Sequence, residues 1–150
     1  MNSANQRSQI VEIFEVCNSE ATDTYDSKTR HEYLALKLAG LREAPVQFSV
    51  FTDQNVAEGR GLGRGTMSEM LFYSTVMAIH TLWLAARAEN IGLGWVSILD
   101  PTGVSAALDV SPSWSLTGYL CLGCAETETD TPILHETGWQ KDTRTHWQIV

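Results

Sequence analysis

Basic residues are scarce in this chain. Ten Lys and Arg stand against 18 Asp and Glu, a formal net charge of -8 over 150 residues. Nucleic-acid binding draws on clusters of Lys and Arg against phosphate, so this balance argues against such a partner. Cysteine is scarce too. Cys17, Cys121 and Cys124 are odd in number and give no disulfide framework, which leaves a reduced, cytoplasmic compartment as the default. The opening M-N-S-A-N-Q-R-S-Q-I has no apolar core, so no export is expected. Internal repeats and low-complexity segments are absent.

Most familiar chemical signatures are missing as well. The loop G-R-G-L-G-R-G at residues 59–65 is not followed by G-K-[ST], so it is not a P-loop. It also lacks the strand and helix on either side that a dinucleotide site requires. There is no G-x-S-x-G for a serine hydrolase. Cys121 and Cys124 form one C-x-x-C in a strand-like run, without the helix N-terminus that makes such pairs redox-active and without the second pair of a zinc site. His31, His80, His135 and His146 show no ligand spacing, and no metal is expected.

What the chain does have is one long apolar run, from Met70 to Glu89, with neither Pro nor Gly. Its second half is rich in strong helix formers. Apolar residues occur on every side of it, the pattern of a helix buried all round. At roughly 20 residues it has the length of a membrane span. Tyr73, Ser74, Thr75, His80 and Thr81 interrupt it and no basic cluster flanks it, so the reading is the central helix of a soluble core, with no membrane partner. Asn90 to Gly94 predicts its termination, because Asn and Gly tolerate the left-handed conformation. A strand from Trp95 to Leu99 follows, carrying Ser97.

Elsewhere, Ser8 to Cys17 reads as a short amphipathic helix with Ile10, Phe14 and Cys17 on one face. A second helix is predicted from Ser27 or Lys28 to Arg42, and Pro45 stops it. Val46 to Thr52 and Ser115 to Cys124 are continuous β-formers. Asp100-Pro101 caps a helix over Pro101 to Leu108. Strands and helices in this alternation give an α/β or α+β fold, and composition does not choose between them.

A set of motifs chooses. The run L-W-L-A-A-R-A-E-x-x-G-x-G-W-V-S-I from Leu82 to Ile98 resembles the flavin-dependent nitroreductase family, and within it the 5,6-dimethylbenzimidazole synthases. Further pieces match in the family's order: K-L-x-G at Lys37 to Gly40, A-P at Ala44 and Pro45, L-G-R at Leu62 to Arg64, Y-S-T-V at Tyr73 to Val76, and L-C-L-G at Leu120 to Gly123. The likeness extends from about Arg7 to Trp139.

The resemblance implies a single nitroreductase-like α+β domain over residues 1–150, in part. It predicts a mixed β-sheet flanked by helices around the long buried helix, and a lid formed by the helices before Pro45. The implied ligand is FMN, taken in its reduced form as the substrate. It is cleaved with molecular oxygen to release 5,6-dimethylbenzimidazole, the lower ligand of vitamin B12. Ser97 is implied as the catalytic residue, at the N5 and C4a edge of the flavin. Gly92, Gly94, Trp95, Leu62 and Arg64 are implied flavin contacts. Gly92 and Gly94 also admit backbone close to a flat ring, which a Cβ would prevent. Lys141 or Arg144 stands in for the family's C-terminal phosphate-binding arginines. A homodimer is implied, the partner covering the central helix. The family's R-R-x-x-R segment and its acid/base aspartate match nothing here, so an N-terminally truncated member with impaired turnover is expected. Two alternatives stay open: an NAD(P)H-dependent flavin nitroreductase, or a non-catalytic flavin-binding, dimerising remnant.

Overall fold

The computed structural model describes residues 3–36, 40–126 and 129–141. Helix α1 (Ala4–Asp23) opens on a reciprocal cap. The Ser3 hydroxyl accepts from the Gln6 amide at 3.3 Å, and the Ser3 amide donates to Gln6 Oε1 at 2.8 Å. The cap and the buried Ile10 and Phe14 carry the helix well past both ends of the expected Ser8–Cys17 stretch. Helix α2 (Ser27–Leu34) begins where Asp26 accepts from the amides of Lys28 and Thr29, each at 2.9 Å. It ends eight residues short of the expected Arg42. Its apolar residues do not form one buried stripe, since Tyr33 is buried and Leu34 exposed. A separate turn of helix, α3 (Gly40–Glu43), buries Leu41.

Three strands form one sheet: β1 (Val46–Asp53), β2 (Ile91–Val96) and β3 (Trp114–Cys124), in the order β1-β3-β2. Both pairings are antiparallel, so among the described residues the sheet is antiparallel, where a mixed sheet was expected. The α+β class stands. Side chains alternate across β3. Tyr119 and Cys121 face α1 and a core of Ile10, Phe14, Leu41, Leu99 and Val104. Leu120 faces the long helix α4 (Met70–Ala88) and packs with Ile79 and Leu93. Threonine hydroxyls tie α4 to the sheet. Thr52 Oγ1 donates to Thr75 Oγ1 at 2.8 Å, and Thr75 Oγ1 donates to the Leu71 carbonyl at 3.1 Å.

Two expectations about this region are corrected. First, of the Asn90–Gly94 stretch expected to end α4, Asn90 does so and the glycines do not. Glu89 caps it, Asn90 takes the left-handed conformation (φ 58°), and β2 begins at once. Gly92 and Gly94 lie inside β2, neither at positive φ, and Ser97 lies just beyond its end. Second, α4 is not covered on all sides. In the single chain only Ile79 and Ala86 are buried, while Met77 is 70% and Leu84 60% exposed. One sheet covers one face, and a three-stranded sheet offers no second layer. Among the described residues no helix is long and apolar enough to cross a membrane. Helix α5 (Pro101–Leu108), capped by Asp100, packs on α1. Helix α6 (Ile133–Glu136) precedes Trp139, whose ring packs against Tyr25 and Tyr33 with centroids 5.8 and 5.9 Å away.

Candidate functional site

The register builds a row across the sheet: Gly94 of β2 opposes Cys121 of β3, which opposes Gln47 of β1. Residues on one row of a sheet share a face, so Gly94 and Cys121 form a floor on the α1 side. Over it opens a cavity of about 370 Å³, bounded by Phe14 of α1, Gly40 and Leu41 of α3, residues 94–98 and Cys121. Pieces of three motifs remote in sequence therefore meet in one space: Gly40 of K-L-x-G, Gly94, Trp95 and Ser97 of G-x-G-W-V-S-I, and Cys121 of L-C-L-G. Ser97 is exposed to this space, and its hydroxyl makes no hydrogen bond within the described residues. Burial pushes the Cys121 thiol up to about 11 against a smaller opposing pull from the Arg7 guanidinium, so Cys121 is a neutral, apolar wall.

The other predicted contacts lie elsewhere. Gly92 opposes Gly123, where an added Cβ would come 3.3 Å from the Gly123 carbonyl. Its glycine serves strand approach and does not border the cavity. Leu62 is 92% exposed on the glycine loop, whose residues 59, 60, 61 and 63 all take positive φ. Arg64 turns inward on that loop. Its Nη1 and Nη2 donate to the carbonyls of Val56 and Glu58, both at 2.8 Å, and neither it nor Leu62 borders the Ser97 cavity. Lys141 is exposed two residues beyond Trp139. Arg144 lies outside the described residues.

Phe14, Gly40, Leu41 and Cys121 border the cavity without having been singled out for it. Gly40 and Cys121 had a signal, since both stand in matched motifs. Phe14 and Leu41 had none beyond apolar periodicity. The space fits a flat aromatic ring. Its size falls in the range of small-molecule sites, its walls are largely apolar, and it offers one free hydroxyl. Gly40 and Gly94 keep side chains out of it, a Cβ on Gly94 meeting nothing closer than the Cys121 carbonyl at 4.0 Å. The anionic end of a flavin nucleotide finds no Lys or Arg on the described lining.

Comparison with known proteins bears on what this cavity belongs to. The model of the Nitroreductase family matches residues 2–124. A 5,6-dimethylbenzimidazole synthase of Rhodobacter capsulatus is 46% identical over 142 residues, covering 95% of this chain and 69% of that protein. One from Rhodospirillum rubrum is 50% identical over 135 residues, 90% of this chain and 64% of its own length. A further Rhodobacter capsulatus synthase is 39% identical over 142 residues and is covered to 68%. The chain thus spans about two thirds of the length of these relatives. Among solved structures, an iodotyrosine deiodinase bound to FMN and 3-iodo-L-tyrosine superposes with a TM-score of 0.69 over all of this chain and 74% of its own. It is 14% identical, so the likeness is one of fold. Matched by the family model over most of its length, and sharing up to half of its aligned residues with curated members, the chain belongs to the nitroreductase family.

Proposed function

We propose that this chain is a flavoprotein of the 5,6-dimethylbenzimidazole synthase type, with reduced FMN as its substrate and molecular oxygen as its co-substrate. The observation that carries the reading is the convergence of Gly40, Gly94, Trp95, Ser97 and Cys121 on one ring-sized cavity, in a chain up to 50% identical to curated synthases. Reduced flavin would supply the electrons for its own oxidative cleavage. The protein's part is to bind and orient the ring. Gly94 offers a floor without a side chain, Phe14 and Leu41 exclude water from one side, and the free Ser97 hydroxyl can donate to or accept from the ring edge. Cys121, neutral at physiological pH, adds no charge beside the ring. Lys141 or Arg144 would take the phosphate; Arg can grip it bidentately and Lys cannot.

The same reading makes the chain a homodimer of single domains in the cytoplasm. The outer face of α4 exposes Tyr73, Val76, Met77, Trp83 and Leu84, and a contiguous apolar face of that kind marks an interface. A second copy is the occupant proposed.

The test is a titration of the purified chain with FMN, read by flavin fluorescence. Product analysis by chromatography follows, after reduced FMN and oxygen are mixed with the protein. Saturable quenching at one site per subunit, and only slow release of 5,6-dimethylbenzimidazole, since the described lining carries no Asp or Glu as acid or base, are the expected results. NADH or NADPH oxidation with a nitroaromatic or quinone acceptor, and no benzimidazole, would place the chain with the reductases. Absence of any saturable binding would end the flavin reading.

A further inference from the structure

Gln47 is the third member of the row that starts at Gly94 and Cys121. It is 2% exposed, in a part of the sheet otherwise filled by apolar side chains. Glutamine is mostly a surface residue, and a buried amide is costly unless its hydrogen bonds are made. Here they are made. Nε2 donates to the Leu41 carbonyl at 2.8 Å and to the Ala44 carbonyl at 3.1 Å. Oε1 accepts from the hydroxyl of Tyr119 at 2.8 Å, and Tyr119 is itself fully buried.

Both carbonyls belong to α3 and the residue that follows it. A single four-residue turn is too short to hold its own shape, because helix nucleation costs more than one turn returns. The Ala44 amide donates to the Gly40 carbonyl at 2.9 Å, closing that turn. Further anchors come from outside: Gln47; Arg7 Nη2, which donates to the Ala44 carbonyl at 2.9 Å; the Arg42 guanidinium, paired with Glu15 of α1; and the Leu41 side chain, buried in the core. Gly40 and Leu41 are one wall of the Ser97 cavity, and Gly94 and Cys121 are its floor. Of these anchors, Gln47 stands on the floor's own row and ties the wall directly to the floor. An apolar residue could fill the same volume in β1 but could not do this.

We propose that Gln47, oriented by Tyr119, is a positioning residue of the ring site. It holds the Gly40–Glu43 turn over Gly94 and Cys121 at the spacing that admits a flat aromatic ring. The inference rests on reading that cavity as the flavin site.

The experiment uses the full chain with Gln47→Met, which keeps volume and removes both the Nε2 donor and the Oε1 acceptor, and Tyr119→Phe, which removes only the orienting hydroxyl. Ile79→Ala, on the opposite face of the sheet, is the control for general destabilisation. Two readouts are taken: the dissociation constant for oxidised FMN with the visible absorption band of the bound flavin, and hydrogen exchange at the Ala44 amide without flavin. Gln47→Met, which loses three hydrogen bonds, should weaken FMN roughly tenfold, and Tyr119→Phe, which loses one of them, roughly threefold. Both should shift the flavin band and speed Ala44 exchange. Ile79→Ala should lower the melting temperature and leave binding and Ala44 exchange as they were. Folded variants that bind FMN as the wild type does, or in which Ala44 exchanges no faster, would overturn the proposal. If Gln47→Met does not fold, Tyr119→Phe decides it alone. A wild-type chain that never binds FMN, with Ala44 exchange still accelerated in the variants, would remove the flavin reading and keep Gln47 as the organiser of that wall.

Discussion

The indole of Trp95 lies against Gly118, so close that a Cβ at position 118 would sit 2.8 Å from both Cε2 and Nε1 of the ring. Neighbouring strands β2 and β3 thus interlock through a tryptophan and the absence of a side chain. Trp95 stands on the strand that delivers Ser97 to the cavity. Gly118→Ala should therefore destabilise the fold by about 1–3 kcal/mol, the usual cost of overpacking. Trp95→Leu in the same chain should recover part of that loss. A double-mutant cycle by urea denaturation measures it, and strictly additive effects would show that the contact does not constrain the strand.

Among the described residues, Ser97 is the one hydroxyl offered freely to the ring site. A single net hydrogen bond is worth about 0.5–1.5 kcal/mol, so Ser97→Ala should weaken FMN about two- to tenfold and change the visible spectrum of the bound flavin. An unchanged affinity and spectrum would remove Ser97 from the ring edge.

Cys121 offers a pH prediction. Its thiol in the folded chain is pushed up to about 11 by burial, above the range of an exposed thiol. The unfolded chain therefore releases this proton first as pH rises. Stability from this group is intact below the ordinary thiol range and is lost as pH climbs through that range toward 11. Cys121→Ala should flatten that alkaline decline in a series of melts. Alkylation at pH 8 should label the exposed Cys124 long before Cys121, read by peptide mass. Equal labelling of the two would contradict the burial.

The outer face of α4 gives a fourth test. A charge placed in the centre of an apolar interface blocks association, so Met77→Asp should convert a dimer to a monomer in light scattering. A wild-type chain that already runs as a monomer would leave the exposed face unexplained by self-association.

The Gly123 and Pro45 pair shows how far motifs alone can be read. Both stand in matched motifs, and neither motif says why. In the fold, a Cβ at Gly123 would come 2.9 Å from Pro45 Cδ, so the two motifs are halves of one contact. The extents of α4, β1, β3 and α5 were legible from local chemistry, because their caps, β-branched runs and apolar periodicity are written within a few residues of one another. The ends of α1 and α2 were not. Polar stretches such as residues 18–21 can be helix or loop, and here the cap at Ser3 and packing on α5 decide for helix. Gly92 and Gly94 read as a turn because glycine is the usual helix terminator. Asn90 had already reversed the chain; in the strand, Gly92 sits close against the Gly123 carbonyl, and Gly94 leaves the cavity floor bare.

By itself the sequence determined α4, α5, β1 and β3, the acidic net charge and the ordered motifs of the family. Each of these depends on residues close in the chain or on a pattern that survives without coordinates. Only the tertiary structure decided that Gly40, Ser97 and Cys121 share one cavity, that Arg64 is tied to its own loop, and that a buried Gln47 stands behind the wall. Those facts follow from the pairing of strands remote in sequence, and strand register is a property of the whole sheet.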